Sequence, residues 1–246
     1  HVESGLVSPD QHEEFLNDGE QHHPELEDFL RGIQSGVMFD DGQNPLPDED
    51  SAPAAFDFST MRPGRIFTMA GEQYRYLENM GSGNHMIIRN DAIRDTNWVE
   101  QDTVLDDWYA ALDSSVQDIV QPVANSFVTG SVPIHGLILA DWIPTNLQAD
   151  FPEAAADRTE VDLSGSPRAF ALSLSDAVHL SGAGKAFPNQ AASAGLNRAG
   201  WWLRTPSEAG RAWRVGSNGG FAGGRNINYS NPASGIRPAL IINSSN

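Results

Sequence analysis

The side chains best suited to recognition chemistry crowd into the last fifty residues. Trp201-Trp202-Leu203-Arg204-Thr205-Pro206 is followed by Ala212-Trp213-Arg214-Val215, a Gly- and Asn-rich stretch, and Gly235-Ile236-Arg237-Pro238-Ala239-Leu240. Between these blocks lie Ser217, Asn218, Phe221, Arg225, Asn226, Asn228, Tyr229 and Asn231. Aromatic rings and guanidinium groups anchor a ligand, and amides give and accept adaptable hydrogen bonds, a mixture also favoured in antibody loops. Trp213, Arg214, Phe221, Arg225 and Tyr229 are therefore candidate anchors, with Ser217, Asn218, Asn226, Asn228 and Asn231 as adaptable contacts. The competing reading has the Asn and Gly residues shaping turns and Trp213 in the core.

Catalytic chemistry is poorly provided for. The chain has no Cys, so there is no disulfide, thiol nucleophile or thiolate metal site. No HExxH, GxSxG, Walker-type loop or EF-hand loop occurs. Asp106 and Asp107, adjacent on an expected helix, diverge by about 100° and form no acid–base pair. His179 has no Ser or carboxylate partner at a diagnostic spacing and reads as a helix-terminal or core histidine. His22-His23 reads as a solvated pair. The 33 acidic and 15 basic residues give a formal charge of -18 and a pI near 4.5. That excludes electrostatic attraction to nucleic acid or an anionic membrane. No apolar run approaches the roughly 20 residues of a membrane span. The chain opens at His1 without a leader-like segment, which reads as a processed start.

The elements that must position these residues follow from charge and periodicity. Residues 1–60 hold 15 of the 33 acids and one basic residue, Arg31, while all six Trp lie later. Residues 1–60 are expected to be an acidic extension and 61–246 the domain with the core. Short helices are expected at 8–15 and 24–30, and a linker at 40–55. Strands are expected at 65–69, 73–78 and 85–89, joined by turns at 70–72 and 81–84 into an antiparallel meander. Leu105, Trp108, Tyr109, Leu112, Val116, Ile119 and Val120 form a helical stripe, read as core, with Asp102 or Thr103 as the cap. Residues 126–168 read as a long irregular insertion. A strand at 170–174 leads into a capped helical turn at 175–180, closed by Gly182. At the C-terminus the reading is a strand, a loop, a strand, an irregular polar segment and a buried closing strand at 239–242. Trp201 and Trp202 point to opposite sides of their strand, so one is expected beneath the ligand face. Arg204 and Arg237 are expected to be buried and hydrogen-bonded.

The ending closely resembles a bacterial family of uncharacterised domains with a WWLR-[S/T]-P … A-x-x-V … G-[V/I]-RPAL pattern. The opening hairpin, the Trp-bearing helix and the FALSL stretch also fit, so the resemblance covers about residues 60–246. Residues 126–168 depart from it. The resemblance implies an α+β, C-type-lectin-like fold of the formylglycine-generating-enzyme-like variant, with antiparallel strands, flanking helices and long irregular loops. It implies a receptor-like, non-enzymatic domain displayed at the cell surface or outside the cell, or on a phage particle, with a protein or glycan ligand. Some members are similar to the variable proteins of diversity-generating retroelements, in which adenine-directed mutagenesis rewrites codons near the C-terminus. The corresponding variable region here is about 201–246, on a framework of Trp201, Trp202, Arg204 and Arg237 with Leu203, Val215, Ile227, Ile236 and Leu240.

Two other functions compete with that one. A formylglycine-generating-like oxidase needs active-site cysteines, and none is present. A structural or assembly module would use the acidic arm for oligomerisation. No EPN, QPD or WND-type triplet of calcium-dependent sugar sites appears, so no metal ligand is assigned. The acid-rich loops leave room only for a structural calcium ion.

Overall fold

The computed structural model describes residues 50–195, 197–230 and 234–243. The expected helices at 8–15 and 24–30, His22-His23 and Asn231 lie outside them.

Alternation of apolar and polar side chains between tight turns builds β1 (Ile66–Met69), β2 (Glu72–Gly81) and β3 (Asn84–Arg89) as consecutive antiparallel hairpins. Met69 faces Glu72 across Ala70-Gly71, whose φ angles of 48° and 85° are both positive, as a type I′ turn requires. The meander is as expected. After residues 90–92 the chain enters a second sheet through β4 (Ile93–Arg94). Helices α1 (Gln101–Ala110), α2 (Ser114–Gln117), α3 (Leu174–His179) and α4 (Gln190–Ser193) follow. The C-terminal strands are β5 (Gly200–Pro206), β6 (Arg211–Val215), β7 (Phe221–Asn226), β8 (Ser234–Ile236) and β9 (Ala239–Asn243).

One sheet runs Asp50–Ser51, β1, β2, β3, β9; the other runs β7, β6, β5, β8, β4. All ladders within them are antiparallel except Asp50–Ser51 with β1 and β5 with β8. The architecture is α+β.

Strands β3, β5 and β9 are buried on both faces. Met86 and Ile88 enter one apolar core and Ile87 the other; Ala239 and Ile241 part from Leu240 and Ile242 in the same way. Trp201 and Leu203 pack in the first core and Trp202 in the second. Successive strand side chains point to opposite faces, so an unbroken apolar run is the signature of this double burial. Trp202 faces Arg214 across the β5–β6 ladder, so the two side chains share one side of the sheet. Each indole is satisfied: Trp201 Nε1 donates to the Ser193 carbonyl at 2.8 Å, and Trp202 Nε1 to the Thr96 carbonyl at 3.2 Å.

The chain changes sheets twice, at 90–92 and at Arg237-Pro238, and the two crossings are joined. The Arg89 N–H donates to the Pro238 carbonyl at 2.8 Å, and Arg237 Nε donates to the Arg89 carbonyl at 2.7 Å. Arg237 also reaches the Ser193 carbonyl and lies 5.3 Å from the Trp201 ring centroid. Burial lowers its pKa to about 9, with the neighbouring Arg75 charge acting in the same direction. The structural role expected for Arg237 is thus to tie two sheets at their junction.

Four expectations need correction. The packed domain includes residues from Asp50 onward, because Phe56 and Phe58 are buried beside Phe67; the boundary is not at 61. The stripe from 105 to 120 spans two helices. Asp113 caps the second by accepting from the Ser115 N–H, while Gln117 Nε2 donates to the Tyr109 and Leu112 carbonyls that end the first. Neither Asp102 nor Thr103 caps α1. Reciprocal bonds between Asn97 and Glu100 build the turn ahead of it. Residues 170–173 bridge β9 only at Phe170, and α3 already begins at Leu174; the Leu172 carbonyl accepts instead from the Arg204 N–H of β5, and the Leu174 N–H donates to Thr205 Oγ1. As expected, 126–168 is irregular. Among the described residues, no helix is long and apolar enough to cross a membrane.

One buried group gives this fold a pH signature. His85 on β3 is buried, its Nδ1 2.9 Å from the Tyr76 hydroxyl, and burial lowers its pKa against a weaker opposing pull from Asp57. The folded chain holds this proton less tightly than the unfolded chain. Its contribution to stability is present above about pH 6.5 and is lost as pH falls through the lowered value. Urea unfolding of wild type and His85→Gln at pH 7 and pH 5 is expected to show a smaller pH dependence in the variant. An identical dependence would exclude His85 as a source.

Candidate ligand-binding face

Strand β5 positions the site, so its fixing comes first. Arg204 is buried and donates from Nε to both Asp157 carboxylate oxygens, at 3.2 and 3.1 Å, and from Nη1 to the Ala171 carbonyl. Its guanidinium carbon stands 3.8 Å from the Phe127 ring centroid. Asp176 completes the network: it accepts from the Thr159 N–H at 2.8 Å and hydroxyl at 2.6 Å, from the Ser173 N–H and from Arg158 Nε. Ser173 Oγ accepts from the Asp176 N–H, making a capping box that starts α3. Burial pushes the Asp157 carboxyl up from its ordinary value, while Arg204 pulls it down. Thr205 accepts the Leu174 N–H, and Pro206 ends the strand. The expected role of Arg204 is met; its carboxylate partners were not found from the sequence.

On this base, β6 and β7 form a hairpin whose tip is docked. Gly219 has φ of +85°, and a Cβ there would lie 1.6 Å from the Gln190 carbonyl oxygen, so only Gly brings the tip onto α4. Ser193 Oγ donates to the Gly219 carbonyl. Asn218 Oδ1 accepts the Gly220 N–H at 3.0 Å, and Asn226 Oδ1 accepts the Asn228 N–H at 2.9 Å. Asn218 and Asn226 thus shape turns while remaining exposed, with Ser217 and Asn228 exposed beside them.

The anchors divide between the two faces of the hairpin. Trp213 is 3 % exposed, and its Nε1 donates to the Val132 carbonyl at 2.8 Å. A Cβ on Gly223 would meet the Trp213 ring at 2.8 Å, so the missing side chain makes the space the indole fills. Trp213 is a core residue, which corrects its placement among the contacts. Phe221 pairs with Val215 on that same face and is half-buried, stacked on Trp142 at 6.1 Å with planes 13° apart. Phe221 therefore does not join the remaining anchors.

Those remaining lie opposite. Ala212 faces Arg225 and Arg214 faces Ala222, which puts both guanidinium groups on the face away from Trp213. The Arg225 guanidinium carbon is 4.2 Å from the Tyr229 ring centroid, a cation–π contact. All three side chains are half-buried. The Arg214 pKa is lowered, first by burial and then by the Arg225 charge. Arg214, Arg225 and Tyr229 form a compact group, with Asn226 and Asn228 at its border.

Comparison with known proteins adds one match. Residues 158–244 are similar to a family described as a domain of unknown function (DUF6273). The matched span contains Asp176, β5 to β9 and the hairpin, and leaves out Asp157 and β1 to β4. No curated protein and no solved structure matches the chain. Among the described residues, no group of three or more His, Asp or Glu is placed to hold a metal ion.

His179, read as a helix-terminal or core histidine, ends α3 with its Nε2 2.8 Å from Glu78 Oε2, a residue about a hundred positions earlier. Glu78 also accepts from Arg158 Nη2. That pair continues the structural network and stands apart from the hairpin face.

Trp213→Ala is expected to cost about 3–5 kcal/mol in denaturant unfolding, the range for large buried aromatics. Ser217→Ala is expected to stay within about 0.5 kcal/mol. Equal effects would remove the distinction between frame and contact residues.

Proposed function

We propose that this chain is a non-enzymatic ligand-binding protein, displayed at a cell surface or outside the cell. In this reading its lectin-like C-terminal domain presents a face diversified through a retroelement. One observation carries the reading. The motif residues Trp201, Trp202, Leu203, Arg204, Ile236, Arg237 and Leu240 are buried, while a set of side chains between the motifs reaches solvent. Arg214, Ser217, Asn218, Arg225, Asn226, Asn228 and Tyr229 are exposed or half-exposed. Substitution at solvent-facing positions usually changes stability by less than about 0.5 kcal/mol, whereas core changes cost several. A segment so divided tolerates many contact surfaces on one frame.

The α+β architecture with long loops supports the lectin-like reading, and the absence of Cys from the sequence speaks against the oxidase alternative. Contact chemistry comes from two arginines, a tyrosine and exposed amides, groups that serve binding hot spots and adaptable recognition.

The test is to randomise Ser217, Arg225, Asn226, Asn228 and Tyr229 together and display the library. Most members are expected to keep melting temperatures within a few degrees of wild type, and selection against unrelated proteins is expected to yield binders. A library in which most members fail to fold would contradict the proposal. For diversification, the coding DNA is expected to carry a near-identical copy of its 3′ region, differing at adenines, beside a reverse transcriptase gene. Absence of both would remove the retroelement from the account.

A further inference from the structure

The arginines of this domain are satisfied in different ways, and Arg75, Arg94 and Arg237 bond backbone carbonyls. Arg89 pairs with Glu72, Arg158 with Glu78 and Asp176, and Arg204 with Asp157. Arg214 and Arg225 have no carboxylate within ion-pair distance among the described residues, although the chain carries 33 acidic residues. They stand on one face of adjacent strands, close enough for the charge of one to depress the pKa of the other. Two half-buried like charges side by side are unfavourable, and an anion between them relieves both desolvation and repulsion.

The neighbouring backbone narrows the choice of anion. Strand β7 is the last in its sheet, and among the described residues no strand pairs with its outer edge. Residues 221–225 are all partly exposed; Ile134 lies against Gly224, whose carbonyl accepts from Arg211 Nη1, so the edge is left for approach at residues 221–223. An open edge offers main-chain donors and acceptors in register to an extended peptide. A sugar ring would need an uncovered aromatic face to stack on, and the Arg225 guanidinium already lies over the Tyr229 ring. A long polyanion would meet the repulsion of a chain with net charge -18.

We propose that an acidic peptide segment of a partner protein docks along the open edge of β7, with a carboxylate held between Arg214 and Arg225. The proposal rests on the ligand-binding reading above and names the chemistry of its ligand. The border residues Asn226 and Asn228 then read the side chains flanking the carboxylate.

The probe is an array of blocked hexapeptides of alternating valine and threonine, each with one glutamate at a different position, beside glutamine counterparts. A glucuronate oligosaccharide is run in parallel against the same full-length chain. Glutamate peptides are expected to bind about tenfold more tightly than glutamine peptides, and to weaken by a similar factor in about 0.5 M NaCl. Arg225→Gln, and Arg214→Gln with Arg225→Gln, are expected to abolish that preference at an unchanged melting temperature. Equal retention of glutamate and glutamine peptides, or a preference that survives both variants, would overturn the inference. Binding of the oligosaccharide alone, through the same arginines, would overturn the peptide while leaving the ligand-binding reading standing. A library that fails to fold when the contact positions are randomised would instead remove the reading beneath it.

Discussion

The structure depends on burying β5 from both sides. Trp201 and Leu203 fill one core and Trp202 the other, so neither sheet face at this strand meets water. A strand flanked this way slips in register only by exchanging the contents of two cores at once, which fixes the hairpin built on it. The same strand carries Arg204, whose charge is tolerable in the interior because Asp157, Thr159 and Ala171 satisfy it. Removing one member of such a network leaves an uncompensated buried charge, a cost of about 3–5 kcal/mol. The network also fastens the irregular region before α3 to the sheet, so loops without ladders of their own still have fixed ends.

Distance from that strand determines what each later residue is free to do. On β6, Trp213 and Val215 still belong to the core, while Arg214 on the alternate face is half-exposed. One strand further, β7 has a partner on one side and the contact group gathers there. Gly219 and Gly223 make this gradient steep, because missing side chains let the hairpin tip press on α4 and the indole press on β7. The frame thus reaches to the edge of the sheet without claiming the side chains that face outward.

Much of this was legible in the residues. The apolar run at 239–242 predicts a buried closing strand, and the turn residues at 70–72 and 81–84 predict the hairpins of the meander. Arg204 and Arg237 sit inside apolar motifs, where a charge persists only if it is buried and bonded. What stayed hidden depends on pairings distant in sequence. Asp157 and Asp176 look like ordinary acids until the fold brings them to Arg204, and Glu78 is about a hundred residues from His179. Strand β7 was missed because its Ala-Gly-Gly centre has low strand propensity and pairs only because β6 lies beside it. Missing that strand concealed the alternation that sends Trp213 and Phe221 one way and Arg214 and Arg225 the other. Phe56 and Phe58 were assigned to an acidic extension because average charge outweighed two aromatic residues in that reading.

Native-state hydrogen exchange tests the central claim, a rigid frame carrying a separable contact edge. The amides of Trp202, Leu203, Leu240 and Ile241 are expected to exchange only through global unfolding, with a denaturant dependence equal to that of the whole domain. The amides of β7 are expected to exchange through smaller, local openings at lower free energy. Exchange of β5 through the same local openings as β7 would contradict the account, because the hairpin would then have no fixed base.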